Sequence, residues 1–366
     1  MEDNRVYNFS AGPGMLPYEV LKEAEKELTN YHGSGMSVME MSHRSKMFQE
    51  IFDHTKAQFK KLMHVPDSHE ILFLQGGGSL QYSMIPLNFI SRTEKADYAV
   101  TGHFSKLACE EGKKYGDVSI SYDGSEEGFH HIPSQKELHI DEDASYFYYC
   151  ANNTIYGTEW QYTPDTGSVP LVSDMSSDIT SRVVDISKYA LIYAGAQKNM
   201  APAGVTVVIV RKDLCGHELP ITPLMLSYQR EIDKDSMFNT PPCWCIYMLG
   251  LMMDWLERQG GVEAMEKIKH QKAQLLYDIL DESHLFKGHA EKESRSDMNV
   301  TFRTGNDELD KKFIAEAADN GLVNLKGHRL TGGMRASIYN AMPMEGVKQL
   351  ADFMCKFEKE NANVSD

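Results

Sequence analysis

The chain has 366 residues and a formal charge of −16, from 53 acidic side chains against 37 lysines and arginines. This length allows two domains, and an apolar content of 42% is typical of a folded globular protein. The acidic balance argues against nucleic acid or an anionic membrane as a partner, because both would be repelled. Any anionic substrate therefore needs a local cluster of basic side chains.

The first residues lack the pattern of a signal peptide. The longest apolar run, CIYMLGLMM at 245–253, is about half the length that spans a bilayer. The six cysteines are scattered without a CxxC pair, and the CWC at 243–245 has the wrong spacing for common zinc motifs. These features predict a cytosolic protein with reduced thiols and no metal site.

Short strand-like runs alternate with helical or loop segments between about residues 70 and 212. In chain order they are EILFLQ, ADYAVTG, DVSISY, SYFYYC, PLVSDM, YALIYAG and GVTVVIV. Several are β-branched or aromatic on both faces, which favours strands buried on both sides by helices. The alternation predicts an α/β fold with a mainly parallel sheet. The last two runs are joined by a short loop, so an antiparallel hairpin is an alternative for them.

After residue 242 the pattern changes to two long helical segments separated by Gly260 and Gly261. Then come MNVTFRT as a strand, ELDKKFIAEAADN as a helix, MRASIYN as a strand and EGVKQLADFMCKFEK as a closing helix. We therefore predict a large α/β domain over residues 16–260 and a smaller α+β domain over residues 261–366. Residues 1–15 are expected to cross back and pack on the smaller domain.

One lysine stands where a buried strand is expected to emerge. In YALIYAGAQKNMAPAG, residues 189–204, an apolar run ends in small residues just before Lys198. A lysine in a partly apolar pocket loses proton affinity and can form a Schiff base with an aldehyde. Taken alone, this stretch is more often a surface charge in the loop after a strand.

Asp174, in PLVSDMSSDI, ends another apolar run upstream of Lys198. Both residues are expected at the same edge of one sheet. An aspartate paired to a pyridinium nitrogen and a lysine on the aldehyde together make a pyridoxal phosphate (PLP) site. Because SDMSSD is rich in capping residues, a turn cap is an equal alternative for Asp174.

The segment QGGGSLQYSM, residues 75–84, follows a predicted strand and opens a predicted helix. Free backbone N–H groups at such a helix start bind phosphate. The segment lacks the spacing of a dinucleotide fingerprint or a P-loop. A tight turn that requires positive φ explains the glycines equally well.

Basic residues form three packets: His43 and Arg44 in EMSHRS, His328 and Arg329 in LKGHRL, and Arg335 in GGMRASIYN. Arginine suits bidentate recognition of carboxylate or phosphate. Individually each packet is typical of a solvated surface. In a shared pocket they would grip a di-anionic substrate.

These segments follow one another in an order that resembles a known family. NFSAGPGMLP, EMSHRS, QGGGS, DMSSDI, YAGAQKN, the NTPP at 239–242 and LKGHR with GGMRASIYNA look like the phosphoserine aminotransferases, class V members of the fold-type I PLP enzymes. The resemblance runs from about Asn8 to the closing helix. It implies a mainly parallel seven-stranded sheet and a homodimer with shared active sites. It also implies amino transfer between L-glutamate and 3-phosphooxypyruvate in serine biosynthesis, with 4-phosphooxy-L-threonine as a further candidate substrate.

The resemblance also implies roles for individual positions. Lys198 would form the Schiff base and carry the proton, while Asp174 would pair with the ring nitrogen. Further cofactor contacts would come from Gly78, Ser79, Phe104, Thr154 and Gln197, and from Asn239 and Thr240 of a neighbouring subunit. The substrate contacts would be Ser10 and Arg335 at the α-carboxylate, and His43, Arg44, His328 and Arg329 at the distal phosphate or carboxylate.

Two positions depart from the family pattern. TGHF places Phe104 where a tryptophan usually covers the cofactor ring, and phenylalanine stacks with less area and no indole N–H. Leu80 stands where the loop usually has a glycine, which affects how closely the backbone approaches the cofactor. Neither change alters Lys198 or Asp174, so we expect activity with altered cofactor contacts.

Two other functions are compatible with this fold. A class V cysteine desulfurase or lyase needs a nucleophilic cysteine on a mobile C-terminal loop, whereas Cys355 lies in the helical pattern DFMCKFEK. A non-enzymatic binding module would not need Lys198, Asp174 and Arg335 together.

Overall fold

The computed structural model describes residues 5–361. The predicted N-terminal crossing and the predicted small domain extend beyond it, at residues 1–4 and 362–366. The α-helices are α1 (Tyr18–Glu27), α2 (Lys46–Leu62), α3 (Gly77–Phe89), α4 (His103–Gly112), α5 (Tyr228–Asp233), α6 (Cys243–Arg258), α7 (Gly261–Glu282), α8 (Asp307–Asp319) and α9 (Met344–Asn361). The strands are β1 (Tyr7–Asn8), β2 (His69–Leu74), β3 (Lys95–Val100), β4 (Asp117–Asp123), β5 (Phe147–Cys150), β6 (Asn152–Asn153), β7 (Thr158–Glu159), β8 (Leu171–Asp174), β9 (Leu191–Gly195), β10 (Thr206–Arg211), β11 (Lys287–Gly288), β12 (Asn299–Arg303), β13 (Leu322–Val323) and β14 (Met334–Ser337).

The central sheet has seven strands within the described residues, in the order β2-β10-β9-β8-β5-β3-β4. Its strands pair in parallel except β10, which is antiparallel to both β2 and β9. The predicted mainly parallel sheet is confirmed, and the hairpin alternative is the one that occurs for β9 and β10. Only residues 196–205 join these two strands, which is too short for a parallel crossover.

Helices cover both faces of this sheet, because its strands are apolar on both sides. Along β10, Val207 and Ile209 enter one core cluster, whereas Val208 and Val210 enter the cluster on the opposite face. The first cluster includes α2 and α6, and the second includes α3 and α4. Because such strands are buried on both faces, their sequences do not alternate between polar and apolar residues.

A third core cluster is built mainly from α7, α8, α9 and the antiparallel sheet β11-β12-β14. Tyr7 and Phe9 from the start of the chain belong to it, and β1 pairs in parallel with β13. The boundary at residues 260 and 261 stays a prediction; there α6 ends and α7 begins across two glycines with positive φ. Within residues 5–361, none of the helices combines the length and apolarity needed to cross a membrane.

Lys272 on α7 ties this third core to the segment that follows β14. Its buried ammonium donates to the carbonyl oxygens of Ile338, Tyr339 and Met342 at 3.0, 2.8 and 3.1 Å. Burial lowers the pKa of Lys272 to about 7. One side chain therefore holds the chain turn that leads away from β14.

We expect Lys272→Met to lower the free energy of unfolding by about 2 kcal/mol, because three buried carbonyl oxygens lose this donor. Urea unfolding followed by circular dichroism measures the change. Lys267→Met, at an exposed position on the same helix, is the matched control and should have little effect. Equal stability of the two variants would contradict this role.

Candidate active site

The carboxyl ends of three adjacent parallel strands converge at one edge of the central sheet. In the register of the sheet, Asp174 at the end of β8 lies opposite Cys150 on β5 and Tyr193 on β9. Lys198 follows the end of β9 by three residues, and Thr154 follows β5 closely. Lys198 and Asp174 therefore lie at the same edge of the sheet, as the sequence predicts.

The Lys198 side chain is partly buried at this edge. Its Nζ donates to Thr154 Oγ1 at 2.6 Å and lies 5.3 Å from the centroid of the Phe104 ring. Burial lowers the pKa of Lys198, and the nearby Asp174 carboxylate opposes that shift. The structure thus holds an amine that gives up its proton more readily than an ordinary lysine.

Asp174 is 6% exposed, and each of its carboxylate oxygens accepts a hydrogen bond. The Ser176 backbone N–H donates to Oδ1 at 2.8 Å, and the Tyr193 hydroxyl donates to Oδ2 at 2.9 Å. Tyr148 lies 2.8 Å behind Tyr193, hydroxyl to hydroxyl. Burial and the Asp174 charge raise the pKa of both tyrosines far above the usual value, so they remain donors. The turn-capping alternative for Asp174 therefore coexists with a buried carboxylate whose two oxygens are both held in place.

The glycine loop lies against the same edge. Gly76 and Gly77 have φ of 91° and 64°, values that explain the glycines by the turn they form. A Cβ on Gly78 would lie 3.3 Å from the Tyr193 ring and 3.4 Å from Ser176 Oγ. The start of α3 therefore comes close to the Asp174 turn. The Leu80 side chain packs against Gly76, in space that a Cβ at Gly76 would need.

Two basic residues from beyond β12 approach this edge. Arg335 on β14 donates from Nη1 to the Thr154 carbonyl oxygen at 3.2 Å. Burial lowers the pKa of Arg335. The His328 ring lies 6.5 Å from that of His103. Burial and the neighbouring Arg335, His103 and Arg329 side chains lower the pKa of His328. Thr154 is thus the link between Lys198 and Arg335.

Ser10 and Gln197 lie next to this group. Ser10 Oγ accepts from the Gly12 N–H at 3.4 Å, and Gly12 approaches the Lys198 side chain. Gln197 immediately precedes Lys198, and its carbonyl oxygen accepts from the Gly14 N–H at 2.8 Å. Ser79 is in the first turn of α3. The roles predicted for these residues stay predictions.

Within residues 5–361, the other predicted site residues make no hydrogen bond or ion pair with Lys198. Asn239 donates to Gln75 Oε1 at 3.0 Å, and Gln75 donates to the Thr240 carbonyl oxygen at 3.0 Å, which places both at the outer side of the glycine loop. His43 and Arg44 precede α2. Over residues 5–361, no hydrogen bond or ion pair joins either of these two side chains to the Lys198 group.

Sequence reasoning missed Tyr193, Ser176, Asn199 and His103. Tyr193 lies inside the apolar run of β9 and carries no signal that separates it from a core residue. Asn199 Oδ1 accepts from the Asn340 N–H at 2.9 Å, a contact between distant segments that spacing cannot reveal. Within residues 5–361, no group of three or more His, Cys, Asp or Glu side chains is arranged to hold a metal ion.

Comparison with known proteins places these features in context. The aminotransferase class-V family model matches residues 6–350. A phosphoserine aminotransferase of Lysinibacillus sphaericus (strain C3-41) is 50% identical over 358 residues, covering 98% of this chain and 99% of the relative. The solved phosphoserine aminotransferase from Bacillus circulans subsp. alkalophilus superposes with a TM-score of 0.96 at 42% identity, over 98% of this chain and 100% of that one. The PLP-bound phosphoserine aminotransferase from Trichomonas vaginalis gives 0.92 at 39% identity, over 96% and 100%.

The residues at the sheet edge fit pyridoxal phosphate. A buried carboxylate with both oxygens held in place suits a protonated ring nitrogen, and an amine with a lowered pKa suits an aldehyde. The helix start at Gly77–Ser79 supplies backbone N–H groups for a phosphate. The carboxylate and the helix start both lie against Ser176 and Tyr193, and the Asp174 charge acts on the Lys198 amine.

We expect the apoprotein to capture pyridoxal phosphate at a rate that reaches its plateau below the ordinary lysine pKa of about 10.4, since only the neutral amine attacks. Asp174→Asn should move the midpoint to still lower pH, because the carboxylate that favours the ammonium is lost. Stopped-flow absorbance against pH measures both midpoints. Asp185→Asn, at an exposed position before β9, is the control. A midpoint unchanged in Asp174→Asn would contradict the coupling.

Proposed function

The chain belongs to the class-V aminotransferase family, and we propose that it transfers an amino group from L-glutamate to 3-phosphooxypyruvate, giving 2-oxoglutarate and O-phospho-L-serine in serine biosynthesis. The observation that carries this proposal is that Lys198 and Arg335 both donate to Thr154, while the Asp174 carboxylate acts electrostatically on the Lys198 amine. It combines an amine, a buried carboxylate and a cation for an anionic substrate. The same groups would serve 4-phosphooxy-L-threonine.

The cofactor is pyridoxal phosphate, which when bound supplies the aldehyde that carries the amino group and a ring that withdraws electrons from the substrate α-carbon. Asp174 would hold a proton on the ring nitrogen, because its buried negative charge favours the protonated form. Phe104, on the Lys198 side of the site, would cover the ring. Gly78, Ser79, Thr154 and Gln197 would contact the cofactor's oxygens.

Lys198 moves the proton in both halves of the cycle. Its lowered pKa keeps Nζ able to take the proton from the substrate α-carbon and return it. The hydrogen bond to Thr154 Oγ1 orients the amine, and the Phe104 ring lies 5.3 Å from it. One amine therefore serves the glutamate half-reaction and the phosphooxypyruvate half-reaction alike.

Basic side chains would bind the substrate's anionic ends. Arg335, which donates to the Thr154 carbonyl oxygen, would bind the α-carboxylate together with Ser10. His328 and Arg329 would take the distal phosphate or carboxylate, joined by His43 and Arg44. Their charge offsets the acidic field of the whole chain.

We propose that the active unit is a cytosolic homodimer. In it, Asn239 and Thr240 of one subunit would contact the phosphate of the cofactor bound to the other. Ile221, Leu224 and Met225 are 72%, 58% and 42% exposed on one loop, an apolar surface that suits a second copy of the chain. Met225 lines a cavity of about 120 Å³ with Gln75, Gly76 and Asn239. The exposed apolar loop is therefore continuous with the glycine loop.

A desulfurase function has less support. Cys355 is exposed on α9, and a helix does not give a nucleophilic cysteine the mobility that this chemistry needs. The buried thiols of Cys109, Cys150 and Cys215 have pKa values raised by burial, which disfavours the reactive thiolate.

We expect Lys198→Ala to lower turnover of phosphoserine with 2-oxoglutarate by about 10²-fold or more, because no amine remains to move the proton. Lys188→Ala, an exposed lysine before β9, should retain full activity. Borohydride treatment of the holoenzyme followed by peptide mapping should label Lys198. A label at another residue, or turnover that survives Lys198→Ala, would reject the assignment.

Co-expression of Lys198→Ala with the double variant Asn239→Ala/Thr240→Ala tests shared active sites. Each inactive chain carries the part that the other lacks, so every mixed dimer contains one intact site. Activity should return to about a quarter of wild type, since half of the dimers are mixed and half of their sites are intact. If each chain builds its site alone, mixing restores nothing.

A further inference from the structure

His103 lies between the Lys198 amine and the distal basic residues, and it has none of the roles proposed for the other site residues. It opens α4 and precedes Phe104, whose ring faces Lys198 Nζ at 5.3 Å. The His103 ring is 5.7 Å from that of Phe104 and 6.5 Å from that of His328. Consecutive residues of one helix start therefore face the two ends of the site.

The first turn of α4 is held rigidly. Ser105 Oγ accepts from the backbone N–H groups of Thr101 and Gly102 at 3.0 Å each, and donates to the Gly102 carbonyl oxygen. Gly102 itself packs against the Asn153 side chain, where a Cβ would not fit. Because Asn153 precedes Thr154, the position of His103 is set relative to the residue that contacts both Lys198 and Arg335.

The surroundings of His103 are cationic. Arg335, His103 and Arg329 each lower the pKa of His328, and within the described chain no carboxylate opposes them. No side-chain hydrogen bond of His103 to another described residue occupies its ring nitrogens. Two imidazoles thus face each other across a short gap, with two guanidinium groups close by.

We propose that His103 is a specificity-determining residue: its imidazole and that of His328 both donate to the distal phosphate and favour it over the side-chain carboxylate of glutamate. The inference rests on the proposed function, whose two substrates differ in this group. A phosphate ester presents three acceptor oxygens and nearly two negative charges, whereas a carboxylate presents two oxygens and one charge. A second imidazole donor therefore gains more from phosphate.

The test uses purified holoenzyme and single-turnover half-reactions with phosphoserine and with glutamate, followed by the absorbance of the bound cofactor. His103→Ala removes the ring, whereas His103→Phe keeps a ring of similar size without the N–H donor. In both variants the ratio of kcat/KM for phosphoserine to that for glutamate should fall by about 10-fold. Lys106→Ala removes a full positive charge from an exposed position on α4 and should leave the ratio unchanged.

Several results would overturn the inference. Equal losses in both half-reactions would show a structural role, and a wild-type ratio in His103→Phe would show that packing alone matters. A matching fall in Lys106→Ala would show a general charge effect. If the wild-type enzyme turns over glutamate but not phosphoserine, the proposed function fails and this inference fails with it. If the wild-type enzyme turns over both substrates and the ratios in the His103 variants are unchanged, the proposed function stands and the proposed role of His103 is rejected.

Discussion

The active-site edge depends on keeping a carboxylate charged inside the protein next to an amine that must lose its proton easily. Burying an isolated carboxylate is costly, and the cost is lowered by hydrogen bonds to the charged form and by an opposite charge nearby. Asp174 receives two such bonds, from the Ser176 backbone and from Tyr193, with Tyr148 behind. Burial lowers the pKa of the neighbouring Lys198, and the Asp174 carboxylate opposes that shift. Tyr193 and Tyr148 therefore contribute to the electrostatics of the site as well as to the packing of the core.

The side chains proposed to bind the substrate come from the other end of the chain. The contacts that join this segment to the Lys198 segment are therefore as important as either segment. Asn340 donates to Asn199 Oδ1 and to the Thr180 carbonyl oxygen at 2.9 Å each. On its far side, the same segment is held by the Lys272 ammonium. A single chain turn thus connects the core around α7 with the residue that follows Lys198.

A buried ionic network supports the same junction. Glu159 on β7 accepts from Lys269 on α7 at 2.9 Å and from the Asp297 N–H at 2.8 Å. Close by, Arg182 donates to Asp178 at 3.0 Å. Removing one member of such a network leaves an uncompensated buried charge, which is far more destabilising than the loss of a surface pair. The relative placement of Arg335 and Lys198 is therefore held by charged contacts as well as by packing.

The sequence by itself determined a mainly parallel central sheet buried by helices and the edge that carries Lys198 and Asp174, but it left open whether β9 and β10 form an antiparallel hairpin. Apolar runs show where strands begin and end, and the carboxyl ends of neighbouring parallel strands share one edge. The order of the motifs was also enough to identify the family. Only the tertiary structure decided that Tyr193 holds Asp174, that Leu80 packs against Gly76 and that His103 faces His328. These contacts join segments whose separation along the chain carries no information about distance, because packing between the cores sets which side chains meet.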